Sequence, residues 1–212
     1  TLGDLNLDTL LSSGALDLSG YVARKIYTYT NNNLLVAFDD GTDSILVRIQ
    51  KDFTLDTTFN SVGYLTLAGV TGVAGMYVDE NNNIFVTGGS TTSWLQAFNN
   101  DGTTLTGFTS PTTNLSAGAY AVELQSLNRI VVAGQDASGG VLYGYTSTTG
   151  ELDTMFGNGT PGIYKTNIAA PISDISIDNL DRITIVYANS GNTVIERVNS
   201  DGSAVDTLSS PT

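Results

Sequence analysis

Apolar and polar residues alternate with a period of two in one short run after another along this chain. Ile175, Ile177, Ile183 and Ile185 follow that spacing, and no stretch sustains the 3.6-residue spacing of an amphipathic helix. The pattern predicts an all-β protein of short strands with one face buried. In mid-chain the runs are VAGMYVDE (73–80), IFVTGG (84–89) and WLQAF (94–98); near the end they are ISDISID (172–178), RITIVYA (182–188) and TVIERV (193–198). Turn chemistry separates them. Asn and Gly tolerate positive φ, so NNN at Asn31 and Asn81, and Asp-Gly at Asp101-Gly102 and Asp201-Gly202, are natural hairpin closures.

A four-residue phrase recurs among these runs: LDTL at Leu7, LDTT at Leu55, LDTM at Leu152 and VDTL at Val205, with a weaker echo, LTGF, at Leu105. The starts lie 48, 50, 47 and 53 residues apart, which makes the chain an array of four repeats, about 21–68, 69–114, 115–167 and 168–212. Each repeat offers three hairpin-linked strands, the DT phrase and a fourth strand such as GYLTLA (63–68) or GIYKT (162–166). Four antiparallel strands per repeat predict β-propeller-like blades within a single domain over 1–212. A solenoid also uses repeats, but antiparallel strands suit blades better than β-helix coils.

Hydrophobic residues make up 41% of the chain and charged residues 14%, so it is foldable and owes its solubility to Thr, Ser, Asn and Gly. With 21 acids against 8 bases the net charge is -13, which repels phosphate backbones and anionic lipid and argues against nucleic acid as a partner. The absence of Cys and His removes disulfides, thiolate nucleophiles, Cys or His zinc sites and a Ser-His-Asp triad. Nothing singles out a catalytic pair among the carboxylates, so no enzyme, cofactor or metal is expected. The chain begins at Thr1, shows no leader and has no apolar run near 18 residues, so a processed chain without membrane insertion is expected. Its acidic, Thr/Asn/Gly-rich composition is that expected of secreted bacterial surface proteins.

RIVVAG (129–134), NNDGTTL (99–105), LVRIQKDFTLDTTFNSVGYL (46–65) and GELDTMFGNGTPGIY (150–164) resemble the delta-60 repeat, a β-propeller-like repeat of bacterial surface and secreted proteins. The resemblance covers nearly the whole chain and rests chiefly on the DT-x-F-x-x-x-G phrase. It implies a propeller-like fold and an extracellular or cell-surface location, and it brings no catalytic residues. Two departures stand out. The third phrase is LTGF where the family places Leu-Asp, and the last lacks the Phe and Gly after Asp206.

The two ends look like halves of one blade. NLDTLLSSGALDLS (6–19) matches a DT phrase with a last strand, whereas the chain stops at AVDTLSSPT, where its own last strand should begin. Residues 1–20 are therefore expected to supply an edge strand, through Ala15, Leu16, Asp17, Leu18 and Ser19, to the fourth blade of the same or a neighbouring chain. Donation between chains would make a homo-oligomer or filament. Two functions compete: a self-assembling surface scaffold, which the complementary ends favour, and a closed-propeller binding module for glycan or protein.

Other candidates have structural explanations. Asp8, Asp56, Asp153 and Asp206 occupy one place in each repeat and read as turn caps. DENNN (79–83) and DDGTD (39–43) offer oxygen ligands but lack the spacing of a calcium loop. Trp94, which could stack on a sugar, is expected in the core. Asn114 and Asn158 open glycosylation sequons in expected loops.

Overall fold

The computed structural model describes residues 18–89, 92–110, 118–126, 128–166 and 168–209, with backbone only for 205–209. Strands form where alternation predicts them, in antiparallel sheets that follow chain order. The first sheet is β1 (Val22–Thr28), β2 (Leu34–Asp39), β3 (Ser44–Ile49) and β4 (Tyr64–Leu67). The second contains β5 (Val73–Val78), β6 (Ile84–Gly88) and β7 (Trp94–Phe98) among the described residues. The third is β8 (Ala119–Gln125), β9 (Arg129–Asp136), β10 (Gly139–Thr146) and β11 (Ile163–Lys165). The fourth is β12 (Ile172–Ile177), β13 (Ile183–Asn189), β14 (Asn192–Val198) and β15 (Ala204–Ser209). The first strands of three sheets share a bulge at one register, which leaves Arg24, Tyr120 and Ser173 outside the pairing.

The chain divides into two compact units: the described residues up to Val73 with Asn100–Thr103, and Ala74–Asn99 with the described residues from Thr104 onward. In the first, Val36, Phe38, Ile45, Val47 and Ile49 form a core together with Leu18. In the second, neighbouring residues of a strand serve opposite cores, as a pleated backbone requires. Ile130, Val132 and Tyr143 of the third sheet pack with Phe85, Leu95 and Ala97 of the second. Val131, Ala133 and Leu142 pack with Ile175, Ile183 and Ile185 of the fourth. The third sheet is thus buried on both faces, each large aliphatic side chain contributing about 1.5–3 kcal/mol. Trp94 is buried at the start of β7.

The DT phrase builds a clip. Asp56 Oδ1 caps its own turn, accepting bonds from the Thr58 N–H and hydroxyl at 3.1 and 2.6 Å. Its Oδ2 lies 2.9 Å from Arg48 Nε, and that guanidinium rests 4.9 Å from the Phe59 ring centroid. Arg48 also donates to the Asn100 carbonyl and, at 2.9 Å, to Asn100 Oδ1, while Asn60 N–H donates to the Asp101 carbonyl at 2.6 Å. The Asn100–Thr103 turn is therefore held by the phrase. Gly102 completes the fit, because its φ is +85° and a Cβ there would stand 2.9 Å from the Phe59 ring.

The third repeat rebuilds the clip with its cation on another strand. Arg129, on β9, pairs with Asp153 at 2.6 Å, lies 5.3 Å from the Phe156 centroid and donates to the Ser200 carbonyl at 2.6 Å. Arg48 sits on β3 opposite Leu35; the matching position opposite Val131 is Gly144, where a Cβ would strike Phe156. LTGF keeps only the ring and backbone: Phe108 is buried, and Thr109 N–H donates to the Thr149 carbonyl at 2.8 Å.

The last phrase differs from expectation. Without the Phe and Gly that fold the others into clips, residues 204–209 form a strand that pairs with β14, Arg197 facing Asp206, with a bulge that leaves Val205 outside the pairing. That strand occupies the place beside β14 that the sequence assigns to an N-terminal segment. Of that segment, Ala15, Leu16 and Asp17 lie outside the described residues, Leu18 is buried in the first unit, and Ser19 lies in a turn closed by Tyr21 N–H on the Leu18 carbonyl at 3.0 Å.

Phe156→Ala should cost about 3–5 kcal/mol, as expected for emptying a buried aromatic site. Asp153→Ala should cost about 3 kcal/mol, because it strands a buried guanidinium while Asp153 itself keeps some water contact. The double variant should lose less than the sum, since both act on Arg129. Urea denaturation checks all three. Gly202→Ala should destabilise more than Gly41→Ala: both residues have φ +89°, but only at Gly202 would a Cβ meet backbone, 2.5 Å from Gly157 N, whereas Gly41 faces open space.

Candidate functional site

Three first-to-second-strand turns of the second compact unit converge on one concave surface. In the β5–β6 turn, Asp79 Oδ1 accepts Asn81 and Asn83 N–H bonds at 2.9 and 2.7 Å, and Asn82 takes φ +62°. In the β12–β13 turn, Asp178 Oδ1 accepts Leu180 and Arg182 N–H bonds at 2.9 and 3.0 Å, and Asp181 takes φ +60°. The β8–β9 turn has no such Asp. Ser126 instead donates its N–H to Asp181 Oδ1 at 2.8 Å and its hydroxyl to Asp181 Oδ2, while Gln125 Nε2 reaches the Asp181 carbonyl at 2.6 Å.

These turns and adjoining strand ends line a cavity of about 440 Å³, open to solvent, with Tyr77 and Ile177 among its few apolar walls. Asp79, Glu80, Glu123, Asp178 and Asp181 line it, and among the described residues no Lys or Arg does. Asp79, Asp178 and Asp181 are committed to turn bonds. Arg182, hydrogen-bonded to Asp178, holds that carboxyl below its usual range. Glu123 is different. Half-buried on β8 with no hydrogen-bond partner among the described residues, it is pushed up to about 7, first by burial and then by the Asp174 charge.

The residues singled out by sequence fall mostly elsewhere. Asp56 and Asp153 cap turns as expected, but their ion pairs with Arg48 and Arg129 were not legible from the repeat alone. In both, burial opposes ionisation but is outweighed by the hydrogen bonds and the arginine charge, so both carboxyls titrate below their usual range. Asp8 and Asn114 lie outside the described residues, and Asp206 is described by its backbone. Asp39 and Asp40 accept N–H bonds from Gly41 and Thr42, both at 2.7 Å, so these two carboxylates of DDGTD, like Asp79 of DENNN, cap turns. Among the described residues no three metal-ligating side chains gather. Asn158 is exposed, but its amide bridges the Lys165 N–H and carbonyl, each at 3.0 Å. The cavity itself was missed; its signal was the recurrence of acidic Asn-containing turns at one position, DENNN and DNLD.

No protein-family model matches the chain, and no curated protein matches it. Among solved structures it is similar to a protein from Bacteroides caccae, with TM-score 0.60 and 13% identity over 91% of this chain and 68% of that one. It is also similar to the Dos1 propeller, with TM-score 0.58 and 12% identity over 90% of this chain and 48% of that one. The PQQ-bound aldose sugar dehydrogenase of Streptomyces coelicolor gives TM-score 0.55 and 12% identity over 83% of this chain and 61% of that one. The chain spans less than two thirds of the last two. At these identities the likeness concerns the fold, which is all-β and propeller-like.

Glu123→Gln tests the electrostatics. A carboxyl raised from 4.5 to about 7 in the folded protein favours folding below pH 4.5 and loses that contribution as pH rises through 7. At pH 8 the variant should melt about 2–4 °C above the parent, the shift of a 1 kcal/mol change in a chain of this size. At pH 4.5 the two should coincide. Paired thermal scans at the two pH values measure the difference.

Proposed function

We propose that this chain is a non-catalytic, extracellular, propeller-type binding module whose cavity receives a cationic group presented by a protein partner. The cavity carries the proposal: three turns converge on it, its charged lining is wholly acidic, and Glu80 and Glu123 have no hydrogen-bond partner among the described residues. Nearby carboxylates that cap turns are held in place, so the field is preorganised rather than assembled on binding. The surface location is supported by composition and by the delta-60-like phrases. The non-catalytic character is supported by the absence of His and Cys and by the use of three lining carboxylates as turn caps.

Titration calorimetry with a lysine-rich peptide should show binding at pH 8 that weakens with salt, as charge attraction in an open site must. Glu80→Gln combined with Glu123→Gln should reduce affinity about tenfold, or about 1.4 kcal/mol. Affinity should also fall as pH drops through 7, because Glu123 then takes up a proton. Binding that ignores both substitutions would place the partner elsewhere and sink the proposal.

A further inference from the structure

The two complete clips agree in their carboxylate and ring but not in the residue that precedes the ring. Around Asp56 and Asp153 the turns match. The Phe59 and Phe156 N–H groups donate to the aspartate carbonyls at 2.9 and 3.0 Å, and the Thr58 and Met155 N–H groups donate to the carboxylates at 3.1 and 3.0 Å. Each guanidinium presents Nε to an aspartate Oδ2 and Nη1 to a carbonyl of the next turn, Asn100 or Ser200. A guanidinium is a rigid planar fork, so these two contacts also fix the direction of Nη2, on the same edge as Nε. In the first clip Nη2 of Arg48 donates to the Thr58 hydroxyl at 2.8 Å. In the third repeat Met155 stands at the place of Thr58, and Nη2 of Arg129 makes no hydrogen bond among the described residues.

Arg129 is only 7% exposed, so what this N–H bonds to matters more than it would at the surface. A thioether sulfur is a weak acceptor, and Met155 as it stands cannot replace the Thr58 hydroxyl. A sulfoxide can, because oxidation turns an apolar tip into a polar one with an acceptor oxygen. Met155 is also open to attack. It is 81% exposed, whereas the chain's other methionine, Met76, is half-buried on β5. Its unbranched side chain has three rotatable bonds, which lets the tip fold back over the turn toward Arg129.

We propose that Met155 is an oxidation site of this chain and that its sulfoxide tightens the clip of the third repeat. The oxidant is hydrogen peroxide. The Met155 sulfur attacks one peroxide oxygen and the O–O bond breaks; that oxygen stays on sulfur, and the released hydroxide takes its proton and leaves as water. Sulfur is oxidised and peroxide reduced. The new oxygen accepts from Arg129 Nη2 the bond that the Thr58 hydroxyl accepts from Arg48 in the first repeat. Methionine oxidation in a core has the opposite effect, since it places a polar group among apolar ones. Here the side chain starts in solvent, so no core is disturbed and a bond to a charged donor is gained.

Peroxide treatment of the full chain, followed by peptide mass mapping and thermal unfolding, tests this. Met155 should gain one oxygen before Met76 does, and the melting temperature of the parent should then rise by about 2–4 °C. Met155→Leu should show no such rise under the same treatment. Met155→Gln, whose side-chain carbonyl oxygen stands in for that of the sulfoxide, should melt about 2–4 °C above Met155→Leu with no peroxide at all. Both variants change an exposed side chain, and both should fold. Full oxidation at Met155 with an unchanged or lowered melting temperature overturns the inference. So does a rise that persists in Met155→Leu, a Gln variant no more stable than the Leu variant, or Met76 reacting first.

Discussion

A phenyl ring seated under a turn glycine, with an arginine bridging a carboxylate and the turn's carbonyl, is the contact on which each complete repeat depends. The ion pair is not the main source of its stability, since a buried pair roughly offsets its own desolvation. Its contribution is geometric. The guanidinium can satisfy Asp56 or Asp153 and still reach Asn100 or Ser200 only when the turn lies in one place. The buried ring supplies the apolar gain, and the glycine permits its close approach. Repeats that share little sequence can therefore share one register. The cation's move from β3 to β9 shows that the position of the charge is kept while the residue supplying it changes.

Sheet faces then follow from the pleat. Once turn and strand are registered, alternate residues must point to opposite sides, and the third sheet becomes a layer between two cores. At the register where Leu46, Leu95 and Leu142 are fully buried, the fourth sheet carries Ile195, which is exposed. The extended course of the last phrase follows from its own residues. With no ring to seat and no glycine to admit it, the backbone satisfies its hydrogen bonds along β14 instead.

The acidity of the chain becomes local chemistry only at the strand ends. Most of the carboxylates there accept backbone N–H bonds, an ordinary solution for short turns that need a fixed cap. Convergence of two such turns with the β8–β9 turn concentrates charge in one cavity, and burial without a counter-cation separates Glu123 from its neighbours. Neither the cavity nor the raised carboxyl needs a special motif. Both arise from where the repeat places ordinary residues.

The amino-acid sequence by itself determined the strands and their turns: WLQAF is β7 residue for residue, and alternating isoleucines mark β12 and β13, because a period of two is a local property of the backbone. It also determined that Asp56 and Asp153 would cap turns and that Trp94 would be buried, since both follow from position within a repeat. Tertiary structure decided the rest. Arg48 and Arg129 sit at different offsets in their repeats, so no periodic reading could give them one role; only sheet pairing brings their guanidinium groups to the same spot. Glu123 looked like any strand carboxylate, and its environment depends on burial and on Asp174, which β12 of the next repeat brings near it. The fate of the last phrase was likewise nonlocal: absence of Phe and Gly was visible in the letters, but the free edge of β14 that receives it exists only once the sheet has formed.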